Sequence, residues 1–144
     1  MTAARNWRNG VTVVRGSSLA EAMRAPSGNG RAPAFGFSGS SGKLTSIGMA
    51  INQPGTKTGT HNHGHHEIVL YVVRGRSEIR WGERLEYKAD IGPGDFAYFK
   101  PNVPHQERNP SDTETVEFVV VRSDSERIVV KMDDAPVERP ESVY

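Results

Sequence analysis

Apolar residues in this chain come in short bursts, separated by glycine, proline and small polar residues, and that punctuation predicts β architecture. VTVV (Val11–Val14) reads as a short strand, SLAEAMRA (residues 18–25) as one or two helical turns with Ser18 as N-cap, and PSGNGRAP as loop. AFGF (residues 34–37) and the flexible SGSSGK follow. In TSIGMAIN, Ile47, Met49 and Ile51 alternate with small or polar residues, as in a half-buried strand. After the turn NQPGTKTG, the runs EIVLYVVRG and RSEIRWG predict a hairpin through residues 74–76. RLEYKA, DFAYF, TVEFVVVR and RIVVKM predict further strands. Roughly eight to ten strands at this spacing suit a sandwich or a closed barrel. The expected organisation is an N-terminal arm over residues 1–32, a β-barrel domain over 33–132, and an acidic, proline-bearing tail over 133–144.

Composition narrows the reading further. A chain of 144 residues, 35% hydrophobic, suits one domain. At that length about 68–70% of the unfolded surface is typically buried, so folding needs neither disulfide nor structural metal. There is no cysteine, which excludes thiolate nucleophiles, iron–sulfur clusters and Cys-ligated zinc. Lys and Arg number 18 against 17 Asp and Glu, with no basic stripe, so nucleic acid is not an expected partner. MTAARNWRNG lacks the apolar core of a signal peptide and no segment approaches a membrane span, so the expected location is the cytoplasm, with no membrane partner.

The histidines change the picture most. Of five in the chain, four lie in GTHNHGHHE together with Glu67. In an extended segment His61 and His63 point the same way and can grip one ion, and a turn at Gly64 can bring the Glu67 carboxylate to the same point. The fifth, His105, lies in GPGDFAYFKPNVPHQERN, a second candidate motif. A His-rich surface tract that collects metal adventitiously would explain neither Glu67 nor this distant motif. His65 and His66 read as outer-shell donors or solvent-facing residues.

These two motifs resemble those of the cupin superfamily. The first is Gly, five residues, His-x-His, three or four residues, Glu, six residues, Gly; Gly55, His61, His63 and Glu67 match it. The closing glycine would be Gly75, seven residues after Glu67 instead of six, which reads as a one-residue bulge or slip in the strand. In the second, Gly94, His105 and Asn109 fit, while Lys100 stands where proline is usual and Asn102 where glycine is usual. Asparagine tolerates the left-handed conformation.

The resemblance implies an antiparallel jelly-roll β-barrel and one divalent transition metal per chain, held by His61, His63, Glu67 and His105. Three imidazoles and a carboxylate favour Fe, Mn, Ni, Co or Zn and leave two positions of an octahedral ion open. The implied function is a metal-dependent, dioxygenase-like oxidoreductase acting on a small molecule that chelates the ion, with Glu67 as ligand and, when displaced, general base. A non-redox isomerase, decarboxylase or lyase is the alternative, and a non-catalytic small-molecule-binding module the third reading. Ligand imidazoles must be neutral, so affinity is expected to fall as pH drops through about 6.5. Tyr71, Trp81, Phe96, Tyr98, Lys100 and Phe118 are candidate pocket residues, and Arg76, Arg80 or Lys100 could pair a substrate carboxylate. A homodimer is expected, with VTVV completing a partner's sheet edge.

Overall fold

The structure, a computed structural model, describes residues 5–18, 46–123 and 128–144, with the backbone alone at 46–48. Eleven strands run through these residues in two sheets. The first has the order β1 (Val11–Val14), β7 (Phe96–Phe99), β4 (Ile68–Arg74), β9 (Val116–Arg122), β2 (Ser46–Asn52). The second has the order β10 (Val130–Lys131), β3 (His61–Asn62), β8 (His105–Arg108), β5 (Ser77–Trp81), β6 (Tyr87–Ile91), β11 (Glu141–Ser142). Every pairing is antiparallel except that of β11 with β6, and the fold is a jelly roll.

Period-two alternation decides what each strand contributes. On β4, Ile68, Leu70 and Val72 are buried, and they lie in register with Arg122, Val120 and Phe118 of β9. Ile79 and Trp81 of β5 and Ala89 and Ile91 of β6 supply the facing layer. The two inner faces make one core, as two-layer packing requires. Asp95 pins the first sheet's edge: its carboxylate accepts from the amides of Gly16 and Gly92 and pairs with Arg15 at 2.9 Å. Burial alone would raise that carboxyl, but the two amides and Arg15 together hold it below its ordinary value.

Several sequence expectations are corrected here. EIVLYVVRG and RSEIRWG form no hairpin, because β4 pairs with β7 and β9 whereas β5 pairs with β6 and β8. Both strands bury one apolar face, and the chain satisfies both by crossing between sheets at Gly75. There φ is +79°, and a Cβ would lie 2.4 Å from the Thr115 carbonyl oxygen. The one-residue bulge is present in β4, between Val72 and Arg74 opposite β9. On β2 the alternation faces the other way from expectation: Met49 and Ile51 are 60% and 54% exposed, while Ala50 packs against the core.

The segment read as a tail contributes β11 to the second sheet and packs Val143 against the core. VTVV pairs with β7 of its own chain. Residues 16–18 are helical, while the remainder of SLAEAMRA and all of AFGF lie outside the described residues. No helix among the described residues is long and apolar enough to cross a membrane.

Candidate metal centre

His61 and His105 face each other as register partners on β3 and β8, with ring centroids 4.4 Å apart. His63 follows β3 at a turn stabilised by the Asn62 side chain, which accepts from the Gly64 amide. Its ring lies 4.8 Å from His61 and 5.1 Å from His105. One ring nitrogen from each of the three falls within 4.8 Å of the others. The neighbouring hydroxyl of Thr60 is tied to Asp134, which fixes the start of β3.

The donor chemistry fits an ion. His61 Nδ1 meets the Gly59 carbonyl at 2.8 Å, His63 Nδ1 that of Ile128 at 2.9 Å, and His105 Nδ1 that of Val103 at 3.1 Å. A carbonyl only accepts, so each Nδ1 carries a proton, and in a neutral ring that leaves the lone pair on Nε2. A metal-ligating histidine typically donates its other ring N–H to a carbonyl or carboxylate in this way. Burial lowers the His63 imidazole to about 4 from the ordinary 6.5, helped by His61, Arg122 and His66 and opposed by the Ile128 carbonyl. Burial, then His61 and His63, hold His105 well below the ordinary value against the Val103 carbonyl. Both rings are therefore neutral donors at pH 7.

A pH prediction follows. Between about 4 and 6.5 an unfolded chain protonates His63 and the folded chain does not, so stability falls as pH drops through that window. The ring is partly exposed, so solvent screening reduces the expected loss below the full value of the shift. Urea denaturation of chelator-treated protein at stepped pH measures it, and a flat profile from 6.5 to 4 would contradict it.

Glu67 is not brought to this group. Its side chain is exposed and hydrogen-bonds Tyr98 on the outer face of the first sheet. The cause is parity: Ile68, Leu70 and Val72 point inward, so residue 67 points out. The assignment of Glu67 as ligand and general base is corrected on that ground. Ile68 occupies the inward position and lines the histidine cavity. His66 is buried with neither ring nitrogen hydrogen-bonded among the described residues, and His65 is exposed; both lie outside the three-histidine group.

The histidine cavity has a volume of about 180 Å³, with apolar walls that include Leu70, Phe99 and Val120 and polar side chains from Glu107 and Arg122. None of the six expected pocket residues lines it among the described residues. Tyr71 and Phe96, with rings 4.7 Å apart, line a separate apolar groove on the outer face of the first sheet. Tyr98 joins Glu67 outside, Lys100 is exposed, and Trp81 and Phe118 are core. A third cavity, on the outside of the second sheet, is lined by Lys57, Glu78, Arg80 and Arg108 and holds no histidine.

Glu107 and Arg122 are residues the sequence reading missed, although strand spacing could have found them. Glu107 lies two positions beyond His105 on β8, and Arg122 lies in step with Phe118 and Val120 on β9. Burial pushes the Glu107 carboxyl up, against the pull of His61 and Arg122.

Comparisons with known proteins fit this fold. A Klebsiella pneumoniae protein with a double-stranded β-helix domain is 23% identical, with a TM-score of 0.54 over 61% of this chain and 74% of that one. A cupin 2 domain-containing protein from Halorhodospira halophila is 28% identical, with a TM-score of 0.51 over 60% of this chain and 57% of that one. A 3,4-ketoisomerase from Helicobacter canadensis is 21% identical, with a TM-score of 0.52 over 62% of this chain and 69% of that one. No curated protein matches the sequence. The cupin domain family matches residues 48–122, just over half of the chain, which spans both histidine motifs, and the chain belongs to the cupin family.

Proposed function

We propose that the chain holds one divalent transition metal on His61, His63 and His105 and acts on a small organic molecule that chelates it, as a dioxygenase-type oxidoreductase. The observation that carries this reading is the ligand set: three imidazoles, with no carboxylate grouped with them among the described residues. A divalent ion there keeps a charge of +2, and an octahedral one keeps three positions, enough for a bidentate anionic substrate and a second small reactant. The ion supplies Lewis acidity and, when redox-active, electrons for dioxygen chemistry. The chain's own residues do the rest: Ile68, Leu70 and Phe99 exclude water from the cavity, and Glu107 is placed to hold a proton inside it.

That same Glu107 favours a second reading, a non-redox isomerase, decarboxylase or lyase, in which the carboxyl moves a proton on the bound substrate. Oxygen uptake by the Fe(II)-loaded protein, across a panel of small hydroxy, oxo and thiol acids, separates the two. Substrate-dependent uptake supports the first. Solvent deuterium entering an acid without oxygen uptake, and lost in Glu107→Gln, supports the second. If the protein binds these acids but gives neither signal, it is a non-catalytic binding module.

We also propose a homodimer, formed through the outer face of the first sheet rather than by strand exchange. Met49, Ile51 and Val73 are 60%, 54% and 44% exposed there, beside the groove lined by Tyr71 and Phe96. Exposed apolar surface of this kind marks contact sites. Sedimentation equilibrium should show a dimer that Met49→Lys with Ile51→Lys dissociates; a wild-type monomer at micromolar concentration would rule it out.

A further inference from the structure

We propose that Arg122 is the anion anchor of the histidine cavity, so that the substrate is a small organic acid with a carboxylate beyond the group that chelates the ion. This deepens the preceding reading and rests on it. Arg122 ends β9 in step with Val116, Phe118 and Val120, whose side chains are buried on the inner face. In the register of β4 and β9 it lies opposite Ile68, and both line the cavity of the three histidines. It lines that cavity together with His63, His105 and Glu107, and its charge is felt at His63 and at Glu107.

Two observations point from that position to a ligand. The ion pairs among the described residues are Arg8 with Glu141, Arg15 with Asp95, Arg74 with Glu117, and Arg80, Lys88 and Arg108 around Glu78. Arg122 takes part in none of them. The other cations considered for a substrate carboxylate are elsewhere: Arg80 is held by Glu78, and Arg76 and Lys100 are exposed. Guanidinium keeps its charge at every relevant pH and offers a planar fork that matches a carboxylate with two parallel hydrogen bonds. Glu107 shares the cavity, but no ion pair joins it to Arg122 among the described residues, which leaves the guanidinium fork to an anion entering the cavity.

Size sets the rest of the class. The cavity's volume of about 180 Å³ is below the roughly 300–1,000 Å³ of drug-sized pockets. An acid of a few carbons fits, with one end at the histidines and the other at Arg122.

The test compares two acids that share a chelating 2-hydroxy acid head. In malate the chain ends in a second carboxylate, and in 2-hydroxybutanoate a methyl group stands in its place. Calorimetric titration of the Co(II)-loaded protein should show malate preferred by about tenfold or more, the scale of one charge-assisted contact. Arg122→Met should erase that preference while cobalt content and thermal unfolding stay as in wild type, and Arg122→Lys should keep part of it. Equal affinity of wild type for the two acids, or a preference that survives in Arg122→Met, overturns the proposal. If Arg122→Met does not fold, Arg122→Gln decides by the same criterion. A wild type that takes up no cobalt refutes the metal reading instead. The same two acids are then titrated against metal-free protein, where a malate preference lost on substitution upholds the anchor and no preference overturns it.

Discussion

Replacing His105 by alanine should abolish stoichiometric metal binding, whereas replacing Glu67 by glutamine should leave it intact. His105 is 2% exposed and sits against both other histidines and Phe99, with its Nδ1 already engaged by Val103. Removing one of three ligands exceeds the 10- to 100-fold cost of losing an outer-shell partner, so affinity should fall by more than about a hundredfold. His61→Ala and His63→Ala should behave alike. Glu67 lies on the other side of the sheet, bonded to Tyr98, so its substitution should change affinity by less than about threefold, or roughly 0.7 kcal/mol. His65→Ala and His66→Ala should also retain metal. Elemental analysis with competition against a chromophoric chelator measures all of these. Metal lost in Glu67→Gln and kept in His105→Ala would reverse the assignment.

The strands were legible wherever one face is buried and the other is not. EIVLYVVRG, RSEIRWG and TVEFVVVR each alternate or run apolar, and the structure makes them β4, β5 and β9. How they pair was not legible, because apolar alternation says which face is inward and nothing about which neighbour completes the ladder. The predicted hairpin failed for that reason: proximity in sequence stood in for pairing, while Gly75 turns the chain from one sheet to the other. β11 was hidden by composition. In PESVY only Val143 reaches the core, and the strand is held mainly by backbone bonds from Glu141 and Val143 to Glu86 and Lys88.

At the site, residue type was readable and direction was not. His61, His63 and His105 converge because spacing by two at the end of a strand, and a register partner across it, are robust to small errors. Asn102 was readable as well: its φ of +62° is the conformation that glycine or asparagine best adopts. The direction of Glu67 depends on a single residue of register. The seven residues between Glu67 and Gly75 were read as a slip after the site. The bulge between Val72 and Arg74 does lie after it, but the inward set of residues 68, 70 and 72 leaves Glu67 outside. The same parity carried Tyr71, Phe96 and Tyr98 out of the cavity and brought Glu107 and Arg122 into it.

Leaving six residues before Gly75 lands on Ile68, which also has the four-residue spacing the first motif allows after its second histidine. Ile68→Glu should therefore create the carboxylate ligand that this chain lacks. The side chain is 4% exposed, lies in register with Phe99 and Arg122, and lines the cavity of the three histidines. A glutamate there lowers the charge of the loaded site from +2 to +1 and fills one of its three open positions. Metal affinity should rise by at least about tenfold, since the new contact sets opposite charges side by side away from water. Without metal the same carboxylate is buried beside Glu107 and largely apolar walls, with Arg122 as the one permanent cation among the described lining residues, and the fold should lose about 3 kcal/mol. Stability thus becomes metal-dependent: saturating zinc binds the folded state alone and contributes about 4 kcal/mol at a thousand times Kd, enough to offset the loss. Chelator competition and thermal unfolding with and without zinc read both effects. Unchanged affinity, together with a stability loss that zinc does not restore, would mean that position 68 does not face the ion. Chemistry that needs all three open positions should slow in this variant even as binding tightens, which ties the missing carboxylate to the function proposed for the site.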